Sequence, residues 1–102
     1  MNEMKITADG IGHLQSTIMV GVDTWKGPTT FRITAQKSSD DGETWEETKI
    51  HFDGSLQSEG AVVTAKMSGN LSLAAGDLVR IVGCPLSGDS TFKTLPGGET
   101  KV

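Results

Sequence analysis

The sequence predicts an all-β fold: a single-domain antiparallel β-sandwich of jelly-roll-like form with seven or eight strands. Three observations carry this expectation. Thirteen Gly, 12 Thr and 9 Ser, with β-branched residues bunched in short runs, give strand segments closely punctuated by turn formers. No stretch repeats apolar positions at helical spacing over the roughly 11 residues that a helix signal needs. The nearest, Leu71-Ser72-Leu73-Ala74-Ala75, is stopped by Gly76. A length of 102 residues, with no internal repeat, linker or low-complexity tract, fits one domain.

Each element follows from its alternation. Glu3–Ala8 is the first expected strand, with Met4, Ile6 and Ala8 on one face. Asp9-Gly10-Ile11-Gly12 reads as a turn. Leu14–Val22 places Leu14, Ser16, Ile18, Val20 and Val22 together. Asp23–Pro28 is a loop closed by a Gly-Pro pair. Thr29–Lys37 alternates most clearly, with Phe31, Ile33 and Ala35 inward. Thr44–Phe52 carries Trp45, Ile50 and Phe52 on mismatched parity, so either a bulge lies between Glu46 and Lys49 or Trp45 packs over the preceding turn. Asp53–Gly60 is a polar loop, followed by strands at Ala61–Met67, Asn70–Leu73 and Leu78–Gly83. Cys84–Ser90 reads as irregular, Thr91–Leu95 as a last strand, and Pro96 onward as a polar tail ordered only if something receives it.

Composition narrows the function. The net charge of −4, from 9 basic and 13 acidic residues, argues against a nucleic-acid partner. The longest apolar runs fall far short of the roughly 18 residues of a membrane-spanning helix, so no membrane partner is expected. The start, Met1-Asn2-Glu3-Met4-Lys5, has no apolar stretch of the secretory type. The single cysteine, Cys84, precedes Pro85 with no neighbouring base or cation and is expected to be a buried small apolar residue.

The sharpest local pattern is Ser38-Ser39-Asp40-Asp41-Gly42-Glu43-Thr44-Trp45. A carboxylate at Asp40 can accept backbone N–H groups within a turn, Gly42 can take positive φ, and Trp45 can lie back across the hairpin. The run resembles the Asp box, S-x-D-x-G-x-T-W, at Ser38, Asp40, Gly42, Thr44 and Trp45. In sialidases such boxes sit on outer turns away from the catalytic centre, so the resemblance implies a hairpin and not an activity. A sialidase would also need an arginine cluster and a tyrosine nucleophile; the chain has Arg32 and Arg80 only and no Tyr.

A second run, Leu71 to Ile81, resembles the L-x-x-GD-x-V-x-(V/I) segment of the TNF and complement-type trimeric jelly rolls. By that resemblance Gly76-Asp77 makes a tight turn and Val79 and Ile81 enter the core. The same design occurs in small phage capsid decoration (cement) proteins and in tail or fibre modules.

No catalytic arrangement is legible. His13 and His51 have no metal-ligand spacing, and the acidic run Asp40–Glu43 lacks the stagger of a calcium loop. Glu46 and Glu47 are adjacent and would face opposite sides of a strand. No catalytic residue, metal or cofactor is therefore expected. The candidate turn residues are Ser38, Asp40, Gly42, Thr44, Trp45, Gly76 and Asp77. The candidate interface residues are Trp25, Lys26 and Phe92, a loop tryptophan being suited to a sugar ring or a protein interface.

The expected function is that of a non-enzymatic virion protein, a phage capsid decoration protein made in the host cytoplasm and carried on the capsid surface. Its partners would be the major capsid protein or other virion subunits, and itself as a trimer, with residues 1–7 and 91–102 as contact arms. A carbohydrate- or receptor-binding module of a tail or fibre is the alternative.

Overall fold

The computed structural model describes residues 3–102. It is an all-β sandwich of seven strands: β1 (Glu3–Lys5), β2 (Gly10–Thr24), β3 (Thr29–Ser38), β4 (Glu46–Leu56), β5 (Val62–Leu73), β6 (Leu78–Ser87) and β7 (Thr91–Lys101). They form a four-stranded sheet ordered β1-β6-β3-β4 and a three-stranded sheet ordered β5-β2-β7. Every pairing is antiparallel. Only β3–β4 is a hairpin within one sheet; all other connections cross between the sheets.

The core lies where the predicted alternation puts it. Leu14 and Val20 of β2, Phe31, Ile33 and Ala35 of β3, and Val79 of β6 are buried between the sheets with Ile50, Leu56, Ala65, Met67 and Leu73. The Phe31 ring packs against Phe92 at 5.2 Å and against Phe52 at 6.5 Å between centroids. On the Trp45 parity problem, both devices are present. Thr34 pairs with His51 and Gln36 with Glu47, so Thr48, Lys49 and Ile50 face Ala35 alone and bulge. Thr48 Oγ1 donates to the Ala35 carbonyl and receives the Ile50 N–H, which fixes the bulge while Ile50 turns inward.

Several expected boundaries move. The first strand ends at Lys5, because Ile6 is drawn into the turn across from it: its N–H donates to Asp77 O and its carbonyl accepts from Gly76 N, both at 2.8 Å. The Asp9–Gly12 turn begins β2 at Gly10 instead. The polar segment Asp53–Leu56 continues β4, where Asp53 pairs with Arg32. The two strands expected within Ala61–Leu73 are one, β5, since Ser68 and Gly69 pair with Gln15 and Leu14 without interruption. The Cys84–Ser87 stretch extends β6, and the tail after Leu95 extends β7, received by β2 of the same chain. Cys84 is exposed and not buried: it pairs with Arg32 on the outer sheet face, one residue past the inward-facing Gly83. Of the expected contact arms, Met1 and Asn2 lie outside the described residues.

The sandwich is shut on one flank and open on the other. On the β4–β5 flank, Ile50 presses onto the backbone of Gly69, where a Cβ would lie 2.8 Å from Ile50 Cγ1. On the β6–β7 flank, among the described residues, the short β1 pairs only with Leu78–Arg80 and no fourth strand lies beside β7.

Candidate functional site

Two turns meet at one end of the sandwich. In the β3–β4 connection, Asp41 has φ 61° and Gly42 φ 90°, so the chain reverses through two left-handed residues. The reversal is held by side chains. Ser38 Oγ accepts the Gly42 N–H at 2.9 Å and donates to Asp40 Oδ1 at 2.8 Å. Asp40 Oδ1 also accepts the Thr44 N–H at 2.9 Å, while Thr44 Oγ1 donates to Asp40 Oδ2. Trp45 Nε1 donates to the Gly42 carbonyl at 3.1 Å. The Asp40 carboxylate therefore has three donors, and these bonds, those from Thr44 foremost, hold its pKa down to about 2.

The second turn, Ala74–Asp77, is built around a buried carboxylate. Asp77 Oδ2 accepts the Ala74 N–H at 2.9 Å and Gly76 takes φ 95°. Asp9 Oδ1 accepts the Ala75 N–H at 2.7 Å, tying in the β1–β2 connection. The two turns share the start of β6: Leu78 pairs with Ser38 and sits near Gly42, and the Arg80 guanidinium lies 3.9 Å above the Trp45 ring. Arg80 Nε also donates to Gln36 Oε1 at 2.9 Å. One face of Trp45 is thus already covered by a cation.

The candidate interface residues gather at the opposite end. Lys26 N–H donates to Ser90 Oγ at 2.6 Å, Ser90 Oγ donates to Gly27 O at 2.7 Å, and Ser90 N–H donates to Thr29 Oγ1 at 3.1 Å. This brings Trp25 and Lys26 beside the segment leading to Phe92. Trp25 is half-buried against the core and the Phe92 ring lies on Phe31, so Lys26 is the most solvent-facing of the three. The roles of Thr29, Ser90 and Asp9 were not foreseen. Each is a small polar residue beside a turn, which signals local capping, but the partners lie 61 to 66 residues away.

His13 and His51 are both exposed, His13 Nδ1 sharing a hydrogen bond with Asn70 Oδ1 at 2.9 Å. Arg32 forms a two-point ion pair with Asp53, at 2.7 and 3.0 Å, which lowers the Asp53 pKa. Among the described residues, no group of three or more His, Cys, Asp or Glu is placed to hold a metal ion.

The Asp40 turn gives a direct expectation. Asp40→Ala should lower Tm by several degrees, because three donors lose their acceptor. Because the folded pKa is depressed from 3.8, its contribution is complete above about pH 4 and vanishes as pH falls through about 2. Thermal melts should therefore show wild type and variant converging between those limits. A gap that does not narrow as pH falls from about 4 to about 2 would contradict this origin.

No protein-family model matches the chain, and a search of curated proteins finds no match either.

Proposed function

We propose that this chain is a non-enzymatic structural subunit of a virus particle, most specifically a phage capsid decoration protein that binds the head and stabilises it. The observation that carries this reading is where the polar chemistry is spent. The carboxylates of Asp9, Asp40 and Asp77 hold turns, and Asp53 is taken by Arg32. With these four engaged inside the fold, and no group of three or more His, Cys, Asp or Glu among the described residues placed to hold a metal ion, the feature that favours a structural role is shape: strand edges on β4, β5 and β7, and an open flank. Such a subunit acts through area and edge pairing with its neighbours. The sugar-binding alternative has less support, since Trp45 is covered by Arg80 and Trp25 leans on the core.

The test is addition of the purified chain to preformed heads that lack it, read by co-sedimentation, with its native mass measured beforehand. Saturable addition by a trimer is expected, with no tryptophan-fluorescence response to sugars. Failure to add, together with saturable quenching by a glycan, would move the assignment to a receptor-binding module.

A further inference from the structure

The last stretch of β7 is held to the sandwich differently from the rest of that strand. Residues 91–95 are anchored by large side chains: the Phe92 ring packs on Phe31 at 5.2 Å between centroids, and Leu95 lies over Gly21, 3.1 Å from where a Cβ would be. Beyond the bulge the ladder to β2 resumes for three pairs, Thr17 with Glu99, Ser16 with Thr100 and Gln15 with Lys101. On the core-facing side this stretch offers β2 a hydroxyl pair in place of an apolar contact, Ser16 Oγ and Thr100 Oγ1 at 2.8 Å. Val102 leans on Gly12 and is itself 47% exposed. Three cavities border the stretch: one of about 690 Å³ reaches Glu99 and Thr100, one of about 450 Å³ reaches Val102, and one of about 200 Å³ lies against Glu99 and Lys101. Few apolar contacts and open space on several sides are the marks of a segment of low local stability.

The join is built as a hinge. Pro96, Gly97 and Gly98 together face the single residue Ile18, so two residues exceed what the ladder needs. Straightened, they add roughly 7 Å of reach at about 3.3 Å per residue. Gly97 has φ 105°, and a Cβ on Gly98 would lie 2.6 Å from the Thr17 carbonyl oxygen, so the seated conformation requires glycine at both places. β2 does not rely on this stretch for its own position, because Gln15, Ser16 and Thr17 are paired on their other side with Ser68, Met67 and Lys66 of β5. Opening therefore leaves a short edge of unpaired main-chain groups and one free hydroxyl. The occupant that fits this edge is already displayed: it is the stretch that leaves. The same residues from another copy would restore each main-chain bond and the hydroxyl pair, which makes such an exchange low in cost.

We propose that residues 99–102 form a strap that opens about residues 96–98 while residues 91–95 stay seated, and that the uncovered edge of β2 takes the same strap from a second copy of the chain. This does not depend on the virion reading.

Hydrogen exchange on the wild-type chain tests the opening. Residues 99–101 should be protected at least tenfold less than residues 92–95, as a locally opening unit is. Gly98→Ala, which presses on the Thr17 carbonyl, should lower protection at 99–101 further and leave 92–95 unchanged. Equal protection along the whole of β7, or equal loss along it in Gly98→Ala, would overturn the strap.

Cross-linking tests the exchange. In a Cys84→Ser background, one chain carrying Ser16→Cys and another carrying Thr100→Cys are purified separately and mixed in a glutathione redox buffer. A disulfide between position 16 of one chain and position 100 of the other should accumulate to several times the level of either homodimer and rise with protein concentration. Gln15→Cys with Lys101→Cys, a directly paired and exposed couple, serves if the buried cysteine does not fold. Folded chains that give no mixed link above the homodimer level would overturn the exchange. A mixed link that forms while residues 92–95 lose protection in step would mean that all of β7 leaves, and would overturn the hinge. Heads that take up the wild type leave the assembly reading standing when no link forms, and a link stands when no heads take up the chain.

Discussion

Phe31→Ala should cost this chain about 3–5 kcal/mol, as large-to-small changes at buried aromatic sites do. Phe31 is 0% exposed and stands in the middle of β3, the strand flanked on both sides in the larger sheet. Its ring touches both other phenylalanines of the chain, and it also fills the space above Gly54, where a Cβ would lie 2.8 Å from Phe31 Cζ. Truncation therefore empties a site with neighbours in both sheets, and the strands cannot collapse into it without breaking the β3 ladders. Against a typical total stability of about 5–15 kcal/mol, the loss should bring the protein close to half-unfolded at modest denaturant. Chemical denaturation measures it, and a loss below about 1 kcal/mol would mean that the core is not centred here.

Gly88→Ala is the second large effect, through backbone and not through burial. Gly88 has φ 87°, and a Cβ there would lie 2.5 Å from the Pro28 carbonyl and 2.8 Å from Thr29 Cα. Those are main-chain atoms and cannot swing aside. The turn would have to lift, and the bonds joining Ser90 to Lys26, Gly27 and Thr29 would stretch with it. A left-handed penalty of roughly 1–2 kcal/mol plus part of those hydrogen bonds gives an expected loss of about 2–4 kcal/mol. Gly60→Ala is the internal comparison: nothing lies within 4 Å of its would-be Cβ and its φ is not in the left-handed range, so it should be near neutral. Equal effects at the two positions would contradict the account of this turn.

The sequence made some features legible and hid others for a physical reason. Alternation in Thr29–Lys37 identified β3 and its inward set, because a strand covered on one face must alternate. The β3–β4 turn was legible because all its partners lie within eight residues, Ser38 to Trp45. The lengths of β5, β6 and β7 were not, because Gly69, Pro85 and Pro96-Gly97-Gly98 look like stops. Gly69 is in fact space for Ile50, and the prolines sit at bulges on edge-facing strands, where a missing donor is tolerated. Cys84 was misplaced for the same reason: its exposure depends on which face of β6 it occupies and on how little of that strand β1 covers. The open flank is likewise a property of sheet order, four strands over three, and no local pattern carries it.

On the proposed reading, the chain works through the strand edges and the open β6–β7 flank that it offers to a neighbouring subunit. Hydrogen exchange compared between the free protein and protein bound to heads tests this most directly. New protection at Ile81–Ser87 and Thr91–Lys101, with the Ser38–Trp45 turn unchanged, is the expected result. Protection confined to that turn, or none anywhere, would contradict it.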